Sequence, residues 1–188
     1  MKRSIMDRTI LEAFAKDFVS VLDRQKITYI IVSGFVAIAH GRSRGTEDID
    51  VILERMPKER FARLHAYLLK ENFECVQAEP PEKLYTEYLS KGLAIRYFRK
   101  GSVLPEMEVK LAKDQLDEYQ LETRKKLPFT DMDFYFSSVE MNIAFKEELL
   151  KSPKDIEDAR HLRIIYEGKT DEKEIEKIKG EIRRLRLK

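Results

Sequence analysis

The hexapeptide Asp48-Ile49-Asp50-Val51-Ile52-Leu53 constrains the fold more than any other stretch of the chain. Successive side chains of a strand point to opposite faces, so Ile49, Val51 and Leu53 demand a hydrophobic core while Asp48 and Asp50 share the other face. Two residues of rise put the Asp Cα atoms about 6.6 Å apart. At that spacing both carboxylates can converge on one hard cation, or on two cations about 3.5–4 Å apart. Without a cation they repel and one pKa rises. Paired acids on a central strand therefore point to a divalent metal, Mg²⁺ or Mn²⁺. Taken alone, the pair reads equally well as a solvated edge or as salt-bridge partners.

The residues before this strand supply its complement. Tyr29–Val32 reads as a buried strand, Ser33-Gly34 as a turn and residues 35–40 as a short apolar helix. A strand turning into a helix presents unpaired backbone N–H groups and the positive end of a dipole, which together favour phosphate. Gly34 lets the backbone approach a ligand closely, and Ser33 stands beside it. Arg42 and Arg44, in the loop leading to the acids, are candidate donors to phosphate oxygens. The turn alone has a plainer reading as architecture, and the combination with the acid pair is what singles it out.

Ser33-Gly34, His40-Gly41 and Arg44-x-Thr46-x-Asp48-Ile49-Asp50 together resemble the signature of the nucleotidyltransferase superfamily with the DNA polymerase β-like fold. The likeness is to the small prokaryotic and archaeal branch of minimal and abortive-infection-type nucleotidyltransferases. That family carries Gly-Gly or Gly-Ser, a spacer and Asp-x-Asp; here Ser33 stands at the first Gly position and Phe35 follows Gly34. The resemblance covers residues 28–112, with a weaker match to residue 165. It implies an α/β (α+β) fold, a mixed β-sheet nucleotidyltransferase core flanked by helices with a C-terminal helical segment. It also implies Mg²⁺-dependent transfer of a nucleoside monophosphate from a nucleoside triphosphate, ATP among them, to a hydroxyl acceptor.

Two further site residues follow from the resemblance. Such proteins draw a third carboxylate from a strand after the Asp-x-Asp strand, directly before apolar residues. Glu108 fits that place, with Glu106 as runner-up, both alternating with Met107, Val109 and Leu111. The resemblance thus assigns Asp48, Asp50 and Glu108 to catalysis and metal binding. The plain alternative is that Glu106, Glu108 and Lys110 face water. Residues 139–146 and Lys154-Asp155-x-x-Asp158-Ala159-Arg160 are similar to the family's helical tail. This implies that Lys146 or Lys154 reaches a nucleotide phosphate. Solvated salt-bridge roles fit both lysines equally, and Asp158 and Arg160 read as structural.

Composition sets outer bounds. The 36 basic and 34 acidic side chains leave a formal charge of +2, so no global polyanion-binding signal exists. Cys75 is the only cysteine, which rules out an intramolecular disulfide and argues against a zinc cluster. Met1-Lys2-Arg3-Ser4 is not followed by the apolar core of a signal peptide, and no apolar run reaches membrane-span length. A cytoplasmic, non-membrane protein is the expectation. A high charged fraction without Trp matches thermophile composition.

The rest of the chain reads as alternating elements. Residues 8–24 form an amphipathic helix with Ile10, Leu11, Phe14, Phe18, Val21 and Leu22 inward. A helix follows Pro57, with His65 in a packing role, then strands at 73–77, 93–99 and 106–111 and a helix at 82–90. Tyr85 and Tyr88 pack there or line a base pocket. A helix at 114–124, a strand at 132–136, and helices opened by Ser137-x-x-Glu140 and Ser152-Pro153-x-Asp155 come next, the second carrying Ile156, Ala159 and Leu162. The last helix repeats Ile175, Ile178, Ile182 and Leu185. Its basic end, Lys188 included, either packs back with a solvated charged face or binds RNA or a partner helix.

The expected layout is an α/β domain over residues 1–136 and a helical segment over 137–188 packed on it. The expected partners are a nucleoside triphosphate and a hydroxyl acceptor, whether protein, RNA or small molecule. Two other functions compete: a catalytically inactive nucleotidyltransferase-fold binding module with a partner protein, as in toxin–antitoxin pairs, and an RNA-binding accessory protein.

Overall fold

The structure, a computed structural model, describes residues 8–127 and 132–187. The leader reading of Met1-Lys2-Arg3-Ser4 and the basic Lys188 lie outside the described residues. Helix α1 (Arg8–Arg24) is followed by strand β1 (Tyr29–Val32), helix α2 (Gly34–Ala39) and strand β2 (Asp48–Leu53). Then come α3 (Lys58–Lys70), β3 (Phe73–Cys75) and α4 (Pro81–Lys83), which runs on as a π turn (Leu84–Tyr88) and a 3₁₀ turn (Leu89–Lys91). Strands β4 (Ile95–Arg99) and β5 (Glu106–Leu111), helix α5 (Gln115–Glu122) and short strands β6 (Lys125–Lys126) and β7 (Tyr135–Phe136) complete the sheet region. The chain ends in α6 (Val139–Phe145) with a π turn (Lys146–Leu150), α7 (Pro153–Ile165) and α8 (Glu172–Arg186).

The strands form one seven-stranded mixed sheet in the order β3-β4-β5-β2-β1-β7-β6. Strand β2 is central, antiparallel to β1 and parallel to β5. Its alternation dictates that placement, because Ile49, Val51 and Leu53 are buried together with Met107, Val109 and Leu111 of β5. Phe14, Phe18 and Leu22 of α1 and Phe61, Leu64 and Leu68 of α3 belong to the same core. Phe73 meets Phe18 edge-on with ring centroids 5.1 Å apart. His65 is buried there, its Nδ1 2.7 Å from Tyr97 Oη, and Tyr85 donates to Met56 O while Tyr85 and Tyr88 pack on the core.

The opposite face of the sheet is only partly covered. Ile30, Ala112 and Leu121 make a small cluster with Val32 and Ile52, which seats α5 over β1 and β2. A further cluster joins Leu116 of α5 to Met141, Ile143, Ala144, Leu162, Ile175, Ile178 and Ile182 of the last three helices. The isoleucine stripe of α8 thus packs back on the protein. Three of its basic residues are spent on ion pairs to other elements, Lys179 with Glu147, Arg183 with Glu148, and Arg186 with Asp114 and Asp117.

Several local expectations shift. Ile10 is 52 % exposed and Ile156 44 % exposed, so neither belongs to the core. The strand expected over 132–136 pairs only at Tyr135–Phe136, and the helix expected at 82–90 is α4 and its two irregular turns. The α6 cap is Ser138, whose Oγ accepts from Met141 N; Ser137 is held back by the sheet, its N–H donating to Ile31 O. Ser152 caps α7 as expected, accepting from Asp155 N.

Ile178→Ala should remove about 2–4 kcal/mol by opening a cavity in the helical cluster, whereas Ile156→Ala should stay within about 0.5 kcal/mol. Urea denaturation of both variants checks this; equal losses would place the cluster elsewhere.

Candidate active site

Register brings the acids together. In the parallel β2/β5 pair Asp50 stands opposite Glu108 and Asp48 opposite Glu106, so all four carboxylates share the partly covered face. Val32 of β1 is level with Asp50 and Arg96 of β4 level with Glu108. The Glu108 carboxylate accepts from Lys110 Nζ at 2.6 Å and from Arg96 Nη2 at 3.0 Å. Burial pulls its pKa upward, but Lys110 and then Arg96 outweigh that and hold it below the usual range. Asp50 has no such partner. Burial first, then Glu108 and Asp48, push its pKa up to about 6, against a smaller pull from Lys110 and the Ser33 hydroxyl. Asp48 is held by Thr46, whose hydroxyl donates to Oδ1 at 2.8 Å.

An all-carboxylate donor set, in which Glu108 and Asp48 add to the rise of the Asp50 pKa, matches what a hard dication takes and relieves. The side chains as they stand do not form a closed cage: among the described residues no three His, Cys, Asp or Glu groups are gathered in metal-holding geometry. Glu108 is turned to Lys110 and Arg96 instead.

At the turn, Ser33 has φ 65° and ψ −131°, a left-handed conformation that favours glycine and costs another residue about 1–3 kcal/mol. The position that carries Gly in the resembled signature thus keeps glycine geometry with serine in place. Gly34 is needed for a different reason. A Cβ there would lie 3.0 Å from Arg44 Nη1, so the missing side chain makes room for the guanidinium packed on the turn.

That guanidinium is anchored, not free. Asp158 of α7, fully buried, accepts from Arg44 Nη1 at 2.6 Å, from Lys146 Nζ at 2.8 Å and from Arg42 Nη1. Lys146, only 1 % exposed, also reaches Asp155 at 3.2 Å. It opens the π turn after α6, a distortion that is often found at functional sites. Three cations face two carboxylates, so the cluster behind the turn keeps a positive balance. Nearby, the end of α2 meets α7 through His40 Nδ1 and Tyr166 Oη at 2.7 Å. Burial, then His161, pulls His40 down to about 4, so it is neutral near pH 7.

A cavity of about 360 Å³ opens over the acidic face. Ser33, Asp50, Glu108, Lys110, Gln120, Ser137, Asn142 and Lys146 are among the residues that line it. Arg186 reaches its wall from α8, bonded to Asp114 and Asp117 of the α5 start.

The structure therefore gathers Ser33, Asp50, Glu108 and Lys146 around one cavity, with Asp48 beside Asp50. It does not leave Arg42 and Arg44 open to a ligand, because Asp158 holds both; they back the turn. Lys146 is buried rather than solvated, while Lys154 is exposed and lies outside the cavity lining. Sequence reasoning missed Asp158 as the hub, since two of its three partners, Arg42 and Arg44, lie more than a hundred positions away. It also missed Gln120 and Asn142, whose available signal was a polar residue breaking an apolar helix stripe, as Asn142 does between Met141 and Ile143.

No family model and no curated protein matches the sequence. Solved structures do resemble the fold. An antigenic nucleotidyltransferase-like protein from Paracoccidioides brasiliensis aligns with TM-score 0.53 at 18 % identity, covering 96 % of this chain and 88 % of that one. The antibiotic-resistance factor ANT(2'')-Ia aligns in solution with TM-score 0.57 at 14 % identity, covering 94 % and 92 %. Its complex with adenylyl-2''-tobramycin aligns with TM-score 0.54 at 16 % identity, covering 93 % and 98 %. The fold is thus a nucleotidyltransferase fold, a helix-flanked mixed sheet, as the motif resemblance implied.

Asp50 is expected to leave a pH signature. Its folded pKa, about 6, lies above the unfolded value of about 3.9, so its contribution favours folding at low pH and is lost as pH rises through about 6. Asp50→Asn should therefore stabilise the metal-free protein at pH 7.5 by on the order of 1–2 kcal/mol, with the gain gone near pH 4. Thermal melts across pH read this directly, and a pH-independent offset would contradict it. Asp158→Ala should cost about 3–5 kcal/mol, because it strands buried cations; denaturation showing under 1 kcal/mol would break the hub assignment.

Proposed function

We propose that this chain is a divalent-metal-dependent nucleotidyltransferase that moves a nucleoside monophosphate from a nucleoside triphosphate to a hydroxyl acceptor. The observation that carries the reading is the register of Asp50 beside Glu108, both opening into a cavity shared with Ser33 and Lys146. The fold likeness to nucleotidyltransferase-like structures supports it.

In this reading Asp48, Asp50 and Glu108 hold the cation. Mg²⁺ or Mn²⁺, when bound, offsets the charge of the triphosphate and of the departing pyrophosphate. The Ser33-Gly34 turn receives the distal phosphates, and Lys146, with the charge of Arg42 and Arg44 behind it, favours anions at that end. Lys110 is part-exposed and turns from Glu108 onto an incoming phosphate. Losing that partner raises the basicity of Glu108, which then takes the proton of the acceptor hydroxyl. The acceptor oxygen bonds to the α-phosphorus as the bond to pyrophosphate breaks in line. The ANT(2'')-Ia complex holds adenylyl-2''-tobramycin; for this chain protein, RNA and small hydroxyl compounds all fit the chemistry. The layout fits a catalytic α/β region over 1–136 with the helices of 137–188 closing the cavity.

A second reading, a binding module without catalysis, draws on Glu108 being held by Arg96 and Lys110. Incubation with labelled triphosphates, Mg²⁺ or Mn²⁺ and cell extract separates the two. The enzyme reading expects label transfer that Asp48→Ala and Asp50→Ala abolish and that Glu108→Gln lowers by about 10²–10⁴-fold. Nucleotide binding without transfer, unaffected by metal, would favour the module.

A further inference from the structure

We propose that Arg186, the last residue of α8, is a positioning residue for nucleotide binding: it matches the charge of Asp117 in the cavity wall, so that the wall admits an anionic metal–triphosphate complex. This rests on the nucleotidyltransferase reading and adds the C-terminal helix to its site.

Asp117 is only 4 % exposed and lines the same cavity as Asp50 and Glu108. Its Oδ2 accepts from Lys113 N at 3.0 Å, and its Oδ1 from Gln120 Nε2 at 3.3 Å and Arg186 Nη2 at 2.8 Å. Gln120 Oε1 accepts in turn from Ser137 Oγ at 3.1 Å, and Asn142 Nδ2 donates to Ser137 O at 3.1 Å. Asp117, Gln120, Ser137 and Asn142 all line the cavity, so one run of hydrogen bonds fixes a stretch of its polar wall. A carboxylate in that run holds its donors well, but its charge opposes any phosphate that enters.

Arg186 supplies the answer to that charge. Lys113 N–H and the Gln120 amide offer dipoles only, and among the described residues Arg186 is the one cationic group bonded to the Asp117 carboxylate. Lys110 is bonded to Glu108, and Lys146 to Asp155 and Asp158. The guanidinium is held in place by two further bonds, from Nε and Nη2 to Asp114 at 2.6 and 2.9 Å. Asp114 is part-exposed and caps α5, so solvent and the helix start also meet its charge.

Helix α8 has other anchors. Ile175, Ile178 and Ile182 are buried in the helical cluster, and Lys179 and Arg183 pair with Glu147 and Glu148. Loss of the Arg186 side chain therefore leaves the helix docked and the Asp117 carboxylate unmatched in the wall.

The test uses the intact protein and measures equilibrium binding of Mn²⁺ alone and of ATP, CTP, GTP and UTP with Mn²⁺, on variants checked for folding by circular dichroism. Arg186→Ala should weaken the tightest-binding triphosphate about tenfold. Mn²⁺ alone should bind no more weakly, because an unmatched carboxylate attracts cations. Adding Asp117→Asn to Arg186→Ala should bring triphosphate binding back to within about threefold of the unaltered protein; a role confined to docking α8 would not be rescued in this way. Arg186→Gln, which removes the charge with less change of shape, serves as a second variant. Triphosphate binding unchanged in both Arg186 variants, a parallel loss of Mn²⁺ binding, or a loss that Asp117→Asn does not relieve overturns the positioning role and leaves the nucleotidyltransferase reading standing. No triphosphate binding by the unaltered protein overturns both.

Discussion

Two carboxylates placed side by side by a parallel strand pair, Asp50 and Glu108, are the constraint around which the site is arranged. Their repulsion has to be answered by something. Lys110 and Arg96 answer it for Glu108, which stays ionised. Asp50, buried beside the other acids, is answered only in small part by Lys110 and the Ser33 hydroxyl, and its pKa is pushed up to about 6. A sheet that keeps such an arrangement at its centre, where apolar residues would be more stable, carries a stability cost that a purely structural strand has no reason to bear.

The other half of the site shows the reverse imbalance. One buried carboxylate, Asp158, gathers Arg42, Arg44 and Lys146 and so ties the loop before β2, the π turn after α6 and helix α7 into one unit. The arrangement explains Gly34, whose missing side chain admits Arg44. Acidic excess lines the cavity at the sheet, and the basic cluster behind the turn reaches that cavity through Lys146. That polarity suits a metal–triphosphate complex, a cation and an anion bound together.

The acidic strand and its partner were legible in the sequence to the residue, because alternation with period two and flanking turns leaves one register for the core. The same holds for the α8 stripe, whose isoleucines recur at helical spacing. What was not legible depends on contacts between distant positions. Arg42 and Arg44 look like free phosphate donors until Asp158 is placed against them, and Ser137 looks like a cap until its N–H pairs with β1. Asn142 reads as a minor break in an apolar stripe; only the fold shows its amide nitrogen bonded to the Ser137 and Ser138 carbonyls beside the cavity.

The most direct measurement is a crystal structure with Mn²⁺ and a non-hydrolysable nucleoside triphosphate, using the anomalous signal to locate the metal. The ion is expected between Asp48 and Asp50, with Glu108 released from Lys110 towards it and the triphosphate running along the Ser33-Gly34 turn. Manganese found away from these carboxylates, or a triphosphate bound outside the cavity, would contradict it.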